Sequence, residues 1–240
     1  MRSSYLPLGT PMQPGGILLA IDTCGPTGSV ALGRLAGRDL ELLGQAELEG
    51  RSYSATLVAA VAELLANSGV GLRDLGGIVA VNGPGSFTGV RVGLSAVKGL
   101  AEPAQIPVVA ISRLLVLSRK SGVPSCALDA HRGEVFLRLE ELGLAPRELL
   151  AGKPELEAFK PVPLRVAVCD DSAAALLAAA WPDAQLVRYE APVAKDALRL
   201  GEARLVAGGN VDLALLDGNY LRRSDAEIFG EAAAAGRQRR

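Results

Sequence analysis

The chain has one histidine in 240 residues, so no metal site built on a pair of histidines can form within it. Its three cysteines, Cys24, Cys126 and Cys169, are an odd number without CxxC spacing, which argues against a disulfide framework and against a zinc knuckle. Charge of one sign is missing too. Lys+Arg number 25 against 26 Asp+Glu, a formal net charge of −1. A domain that holds a polyanion by itself carries a basic surplus, because affinity rests on neutralised phosphates. The longest apolar run, Ala173 to Trp181, falls well short of the roughly 20 residues that cross a bilayer, despite a mean hydropathy of +0.27. These absences predict a reduced, cytoplasmic chain with no membrane association and no strongly basic nucleic-acid surface.

What is present suits a packed core. Hydrophobic residues are 49% and charged residues 21%, far from the composition of disorder. Residues 1–15, rich in proline and glycine, read as a loose leader in which Met12 is an alternative start, and residues 224–240 read as a flexible tail. From Gly16 the runs GILLAID, GSVALGR and LELLGQAEL are three short strands separated by turns at Gly25 to Gly28 and around Gly37. Leu57, Val58, Val61, Leu64 and Leu65 then repeat at the spacing of a helix over 52–66 with one buried face. A strand (77–82), a helix (88–102), a strand (107–111) and a helix (112–119) complete a βββαβαβα unit. Helical crossovers return the chain in one direction, so the sheet is mixed and covered by helices. SCALDA and GEVFLRLE form a hairpin, LRVAVC a third strand, and an Ala-rich helix opened by Asp171 or Ser172 follows. The strand QLVRY and a helix capped at Gly208 and Gly209 close the chain. The second half thus reads as a reduced copy, in which the proline-rich stretch 144–163 replaces whatever the first copy places there. The expected division is an N-terminal lobe over 16–112 and a smaller C-terminal lobe over 113–223.

The strongest local signal is NGPGSFTGVRVG, Asn82 to Gly93, which leaves a buried strand and opens a helix. Gly83 and Gly85 make a tight turn, Ser86 or Thr88 caps the helix, and exposed amides at its positive end suit a phosphate or carboxylate. It is neither a Walker A loop nor a GxGxxG fingerprint, and a capped turn with no ligand satisfies the same residues. The turn DTCGPTGSVAL places Asp22 and Thr23 at the end of the first strand, where both turns can line one crevice. Asp22, Thr23, Gly83, Gly85, Ser86 and Thr88 are therefore the candidate nucleotide or anion site, although Asp22 and Thr23 could equally bond their own hairpin backbone. His131, in LDAHRGEV, sits on a turn that suits a solvated side chain, so no catalytic residue and no metal ligand is assigned. On the second helix Gly89, Gly93, Ala96 and Leu100 form one apolar stripe and Val90, Leu94, Val97 and Ala101 an adjacent one. That width exceeds a single core face and asks for another helix, within the chain or outside it. The candidate partner surface is Ala55, Ala59 and Ala62 with Gly89, Gly93 and Val97.

Together ILLAIDT with SVAL, VNGPGSFTGVRVGLSAVKGLA, LDAHRGEV and the closing NYLRR resemble the TsaB (YeaZ) family over residues 16 to 223. The resemblance implies an actin-like (ribonuclease H-like), glycoprotease-related fold of two lobes. It further implies a non-catalytic dimerisation or scaffold subunit needed, with TsaD and TsaE, for N6-threonylcarbamoylation of adenosine 37 in tRNAs reading codons that begin with A. TsaD, the larger homologue, holds the metal and transfers the group, and TsaE contributes an ATPase. The partners implied are a TsaD heterodimer, a homodimer when the chain is alone, and tRNA only through the complex. No intrinsic cofactor is implied, with ATP or ADP at or near the complex interface. One position departs from the pattern: Tyr53, Ser54 and Ala55 stand where the family often has His-Ser-Glu, so no role of that His or Glu carries over. Two other classes compete. A stand-alone actin-like phosphotransferase would need a second DxG[ST]-like loop that LDAHRGEV lacks, and a glycoprotease-type peptidase would need a metal site or triad.

Overall fold

Residues 16–36, 39–49, 52–140 and 143–222 are described by a computed structural model. The expected leader, the whole of the expected tail and the turn around Gly37 lie outside them. The runs LLAI, IVAV and VVAI are apolar at successive positions, so they belong in strands covered on both faces. They form β1 (Ile17–Asp22), β4 (Leu75–Val81) and β5 (Val108–Ile111). With β2 (Thr27–Ala36) and β3 (Asp39–Glu49) they make a sheet of order β3-β2-β1-β4-β5, antiparallel through β1, β2 and β3 and parallel through β1, β4 and β5. The β3 edge carries Asp39, Glu41, Glu47 and Glu49, all exposed, which discourages pairing with another chain. Helices α1 (Tyr53–Asn67) and α2 (Phe87–Ala104) pack side by side on this sheet. In α1 the buried face is Tyr53, Leu57, Val61, Leu64 and Leu65; Val58, expected on it, points outward and is 56% exposed.

After α3 (Arg113–Ser121) come β6 (Cys126–His131), β7 (Glu134–Leu139), β8 (Arg147–Gly152), α4 (Lys153–Ala158), β9 (Arg165–Val168), α5 (Asp171–Ala180), β10 (Gln185–Arg188) and α6 (Ala194–Val206). The second sheet, β8-β7-β6-β9-β10, repeats the first in order and in strand direction. The second copy is reduced in element length, not in element number. The stretch 144–163, expected to replace these elements, supplies the third strand and first helix. Prolines are tolerated there because Pro154 lies in the first turn of α4, where an amide proton has no helical partner, and Glu155 reaches back to the Gly152 amide at 3.0 Å.

The last helix of each copy crosses to the other. Leu114 and Leu117 of α3 pack with Cys126, Leu128 and Phe136 of the second sheet. Ala194, Ala197, Leu198 and Leu205 of α6 join the core of the first, with Gly201 tight against Val79 and Leu205 against Gly77. The expected assignment of 113–223 to one lobe is therefore corrected: α6 and the segment with Leu213 and Leu216 return to the first sheet. An apolar α6 face finds its burial there because β1 and β4 are apolar on the side that α1 and α2 leave uncovered.

Candidate functional site

The crossing helices leave a cleft of about 980 Å³ between the sheets, lined by both glycine-rich turns, the start of α3, the β6–β7 hairpin and the segment 219–222. The expectation that the two turns share a crevice holds: Cys24, Gly25 and Pro26 face Pro84, Gly85 and Ser86 across it. They are joined by their own backbone, since the Ser86 amide donates to the Cys24 carbonyl at 2.8 Å. A Cβ on Gly85 would stand 2.2 Å from that carbonyl, so only glycine permits this approach.

Below the turns lies an ion pair. Asp22, 2% exposed, accepts from the Cys24 amide at 2.8 Å and from Arg113 Nε at 3.2 Å. Arg113, 6% exposed, also donates to the Pro192 carbonyl at 3.4 Å, so it ties the end of β1 to the start of α3 and to the approach to α6. Burial pulls the Arg113 pKa down, but the Asp22 charge, the nearby sulfur atoms and the hydrogen bond to Asp22 outweigh it, and the guanidinium stays cationic. Tyr53 closes the side: its hydroxyl donates to the Gly25 carbonyl at 2.8 Å and its ring fills the space where Gly28 would carry a Cβ. Burial first, then the Asp22 charge, push this phenol up to about 12. Burial likewise pushes the Cys24 thiol well above its ordinary value, and its Sγ donates to the Val81 carbonyl at 3.2 Å.

The six candidate anion-binding residues are thereby accounted for. Asp22 is paired, and Thr23 donates to the Gly89 carbonyl at 2.7 Å. Gly83, at φ +105, lies under the Asn219 backbone. Ser86 caps α2 by accepting from the Gly89 amide at 3.2 Å. Gly85 and Ser86 line the cleft, whereas Thr88, exposed on α2, does not. A phosphate cradle needs free amide donors; here the Cys24 and Ser86 amides are spent inside the protein. Of the partner-surface residues, Ala55, Ala59 and Ala62 are exposed on α1. Gly89, Gly93 and Val97 are buried instead: a Cβ on Gly89 would meet the Thr23 carbonyl at 2.0 Å, and one on Gly93 the Thr23 hydroxyl at 2.2 Å. The extra apolar width of α2 is satisfied within the chain, which corrects the assignment of those three residues to a partner surface.

Across the cleft His131 is solvated, with 85% of its side chain exposed, and rests its Nδ1 2.9 Å from the Asp129 carboxylate on a hairpin whose positive φ values run through His131, Arg132 and Gly133. Among the described residues no group of three or more His, Cys, Asp and Glu side chains could hold a metal ion. Sequence reasoning missed two residues. Arg113 was detectable as a cation opening the apolar helix RLLVL, at the positive end of its dipole, a position that calls for a buried anion opposite. Glu148 left no local signal. It accepts from Ser112, Arg138 and Asn219 at 2.7 to 3.0 Å, joining β8 to the start of α3 and to the C-terminal segment.

Two sheets of one topology, exchanged last helices and a cleft between them define a two-lobed α/β protein of the actin-like superfamily. A family model described as TsaD, tRNA N6-adenosine threonylcarbamoyltransferase, matches residues 46–143. The tRNA threonylcarbamoyladenosine biosynthesis protein TsaB of Escherichia coli K12 is 36% identical over 125 residues, 50% of this chain and 52% of that protein. TsaB of Bacillus subtilis 168 is 36% identical over 126 residues, 51% and 54% of the respective chains. The chain spans about half the length of the curated relatives it matches. The solved structure of YeaZ from Pseudomonas aeruginosa superposes with a TM-score of 0.68 at 27% identity, covering 86% of this chain and 100% of that one. Over these spans the chain is similar to TsaB and YeaZ proteins.

Proposed function

We propose that the protein is a non-catalytic subunit of a cytoplasmic assembly that makes N6-threonylcarbamoyladenosine at position 37 of tRNAs reading codons that begin with A, alongside a TsaD-type transferase and a TsaE-type ATPase. The observation that carries this reading lies beneath the two turns, where the chemistry-bearing side chains are spent on internal partners: Asp22 on the Arg113 guanidinium, Thr23 on the Gly89 carbonyl, Tyr53 on the Gly25 carbonyl. Such a network supplies no nucleophile, but it fixes the start of α1 and α2 and so presents a preorganised face at low entropic cost. The printed names of the TsaB relatives supply the reaction, and the TsaD match over 46–143 supports a structurally related partner. Any nucleotide of the assembly is held at or near the subunit interface. The docking face is the outer side of α1, where Ala55, Ala59 and Ala62 flank the exposed Val58; alone, the same face pairs two copies.

Depletion of the protein from cells tests the assignment. Threonylcarbamoyladenosine should disappear from total tRNA and return with the wild-type gene, whereas modification unchanged by depletion overturns it. Within the complex, Ala59→Glu should leave folding intact and remove co-purification with the TsaD-type partner. Burying a charge without a mate costs several kcal/mol, and each 1.4 kcal/mol is about tenfold in affinity.

A further inference from the structure

On the face of the first sheet opposite α1 and α2, the two exchanged helices meet. The last turn of α3 and the first turns of α6 enclose a hollow of about 530 Å³ against β3. Its floor is leucine (Leu40, Leu42, Leu198 and Leu200), and its charged lining is four cations, Arg119, Lys120, Lys195 and Arg199, and one carboxylate, Asp196. Lys120 is taken by Asp196 at 2.9 Å and by the Ala191 carbonyl at 3.1 Å. Arg119 reaches Glu140 only at 3.8 Å and stays half exposed. Lys195 and Arg199 are exposed and have no carboxylate partner among the described residues.

The arrangement opposes local stability. Lys195 and Arg199 are four residues apart on one helix face, where like charges repel. Lys195 also lies in the first turn of α6, against the positive end of its dipole. In a chain whose formal charge is −1, this concentration is not a by-product of composition. Such a field attracts a polyanion. We infer that the α3–α6 hollow holds the phosphodiester backbone of the tRNA while the opposite face of the sheet engages the partner. This inference rests on the proposed function and deepens it. The chain adds two or three phosphate contacts to an RNA held mainly by the assembly, which agrees with the lack of an overall basic surplus. Phosphate contacts position an RNA and carry no sequence information, as suits a subunit serving several tRNAs.

The test uses the complete assembly and an unmodified tRNA transcript, with affinity measured between about 50 and 200 mM salt. Lys195→Ala combined with Arg199→Ala is compared with Lys153→Ala combined with Arg165→Ala, which removes the same charge from the second sheet's side. The hollow pair should weaken tRNA about tenfold at low salt and flatten the salt slope by about two, with partner co-purification unchanged; the control pair should do neither. Equal behaviour of the two pairs overturns the inference. Loss of the partner in the hollow pair overturns it as well, because the hollow is then a protein contact. Failure of the functional assignment reads differently: the wild-type chain itself would neither co-purify with the TsaD-type partner nor be needed for modification, whereas a wild-type chain that is needed but adds nothing to the assembly's tRNA affinity overturns the inference alone.

Discussion

Replacing Gly89 by alanine should destabilise the free chain, although alanine is the better helix former. In the folded chain the new Cβ would stand 2.0 Å from the Thr23 carbonyl, whereas real Cβ contacts essentially never fall below 3.0 Å. The start of α2 must therefore retreat from the β1–β2 turn by about 1 Å. That movement breaks the 2.7 Å bond from the Thr23 hydroxyl to the Gly89 carbonyl and loosens the 2.8 Å bond between Ser86 and Cys24. Overpacking costs about 1 to 3 kcal/mol, each lost bond about 1 kcal/mol, and the gain in helix propensity returns about 1 kcal/mol. The net loss is about 2 to 4 kcal/mol, or a fall in Tm of roughly 5 to 15 °C for a chain of this size. Gly99→Ala in the same helix is the control: a Cβ there meets nothing within 4 Å, so the variant should gain up to about 1 kcal/mol. Thermal unfolding followed by circular dichroism reads both. A Gly89→Ala protein as stable as wild type would refute the close approach of α2 to the turn, and with it the argument that Gly89 and Gly93 are core.

Two further outcomes follow from the buried thiols and from His131. Burial pushes the Cys24 and Cys126 thiols up, so the native chain keeps both protons while the unfolded chain releases them near pH 8.5. Stability should therefore hold below pH 8.5 and fall above it, by about 2 kcal/mol per buried thiol at pH 10; a Tm constant from pH 8 to 10 contradicts this. His131→Ala should leave modification by the reconstituted assembly within a few-fold of wild type, because the imidazole is 85% exposed and rests against Asp129. A thousandfold loss in a folded variant, about 4 kcal/mol in the barrier, would give the residue a role that its exposure denies.

Local chemistry along the chain determined the first βββαβαβα unit, the Ser86 cap of α2 and the end of α6, where the Gly209 amide returns to the Arg204 carbonyl at 2.7 Å. These rest on residues within a few positions of one another, so period and turn chemistry report them. The segment 144–163 resisted because its prolines mask a strand and a helix of six residues each, too short for a period to show. Tertiary structure alone decided three things. The exchange of α3 and α6 depends on which sheet face stays uncovered. The pairing of Asp22 with Arg113 spans 91 residues, and a buried charge shows in sequence without showing its mate. Whether the glycine stripe of α2 met a partner or Thr23 was undetermined by composition, because an apolar face reads the same whichever surface covers it; only the position of the Thr23 carbonyl, 2.0 Å from where a Gly89 Cβ would stand, distinguishes them.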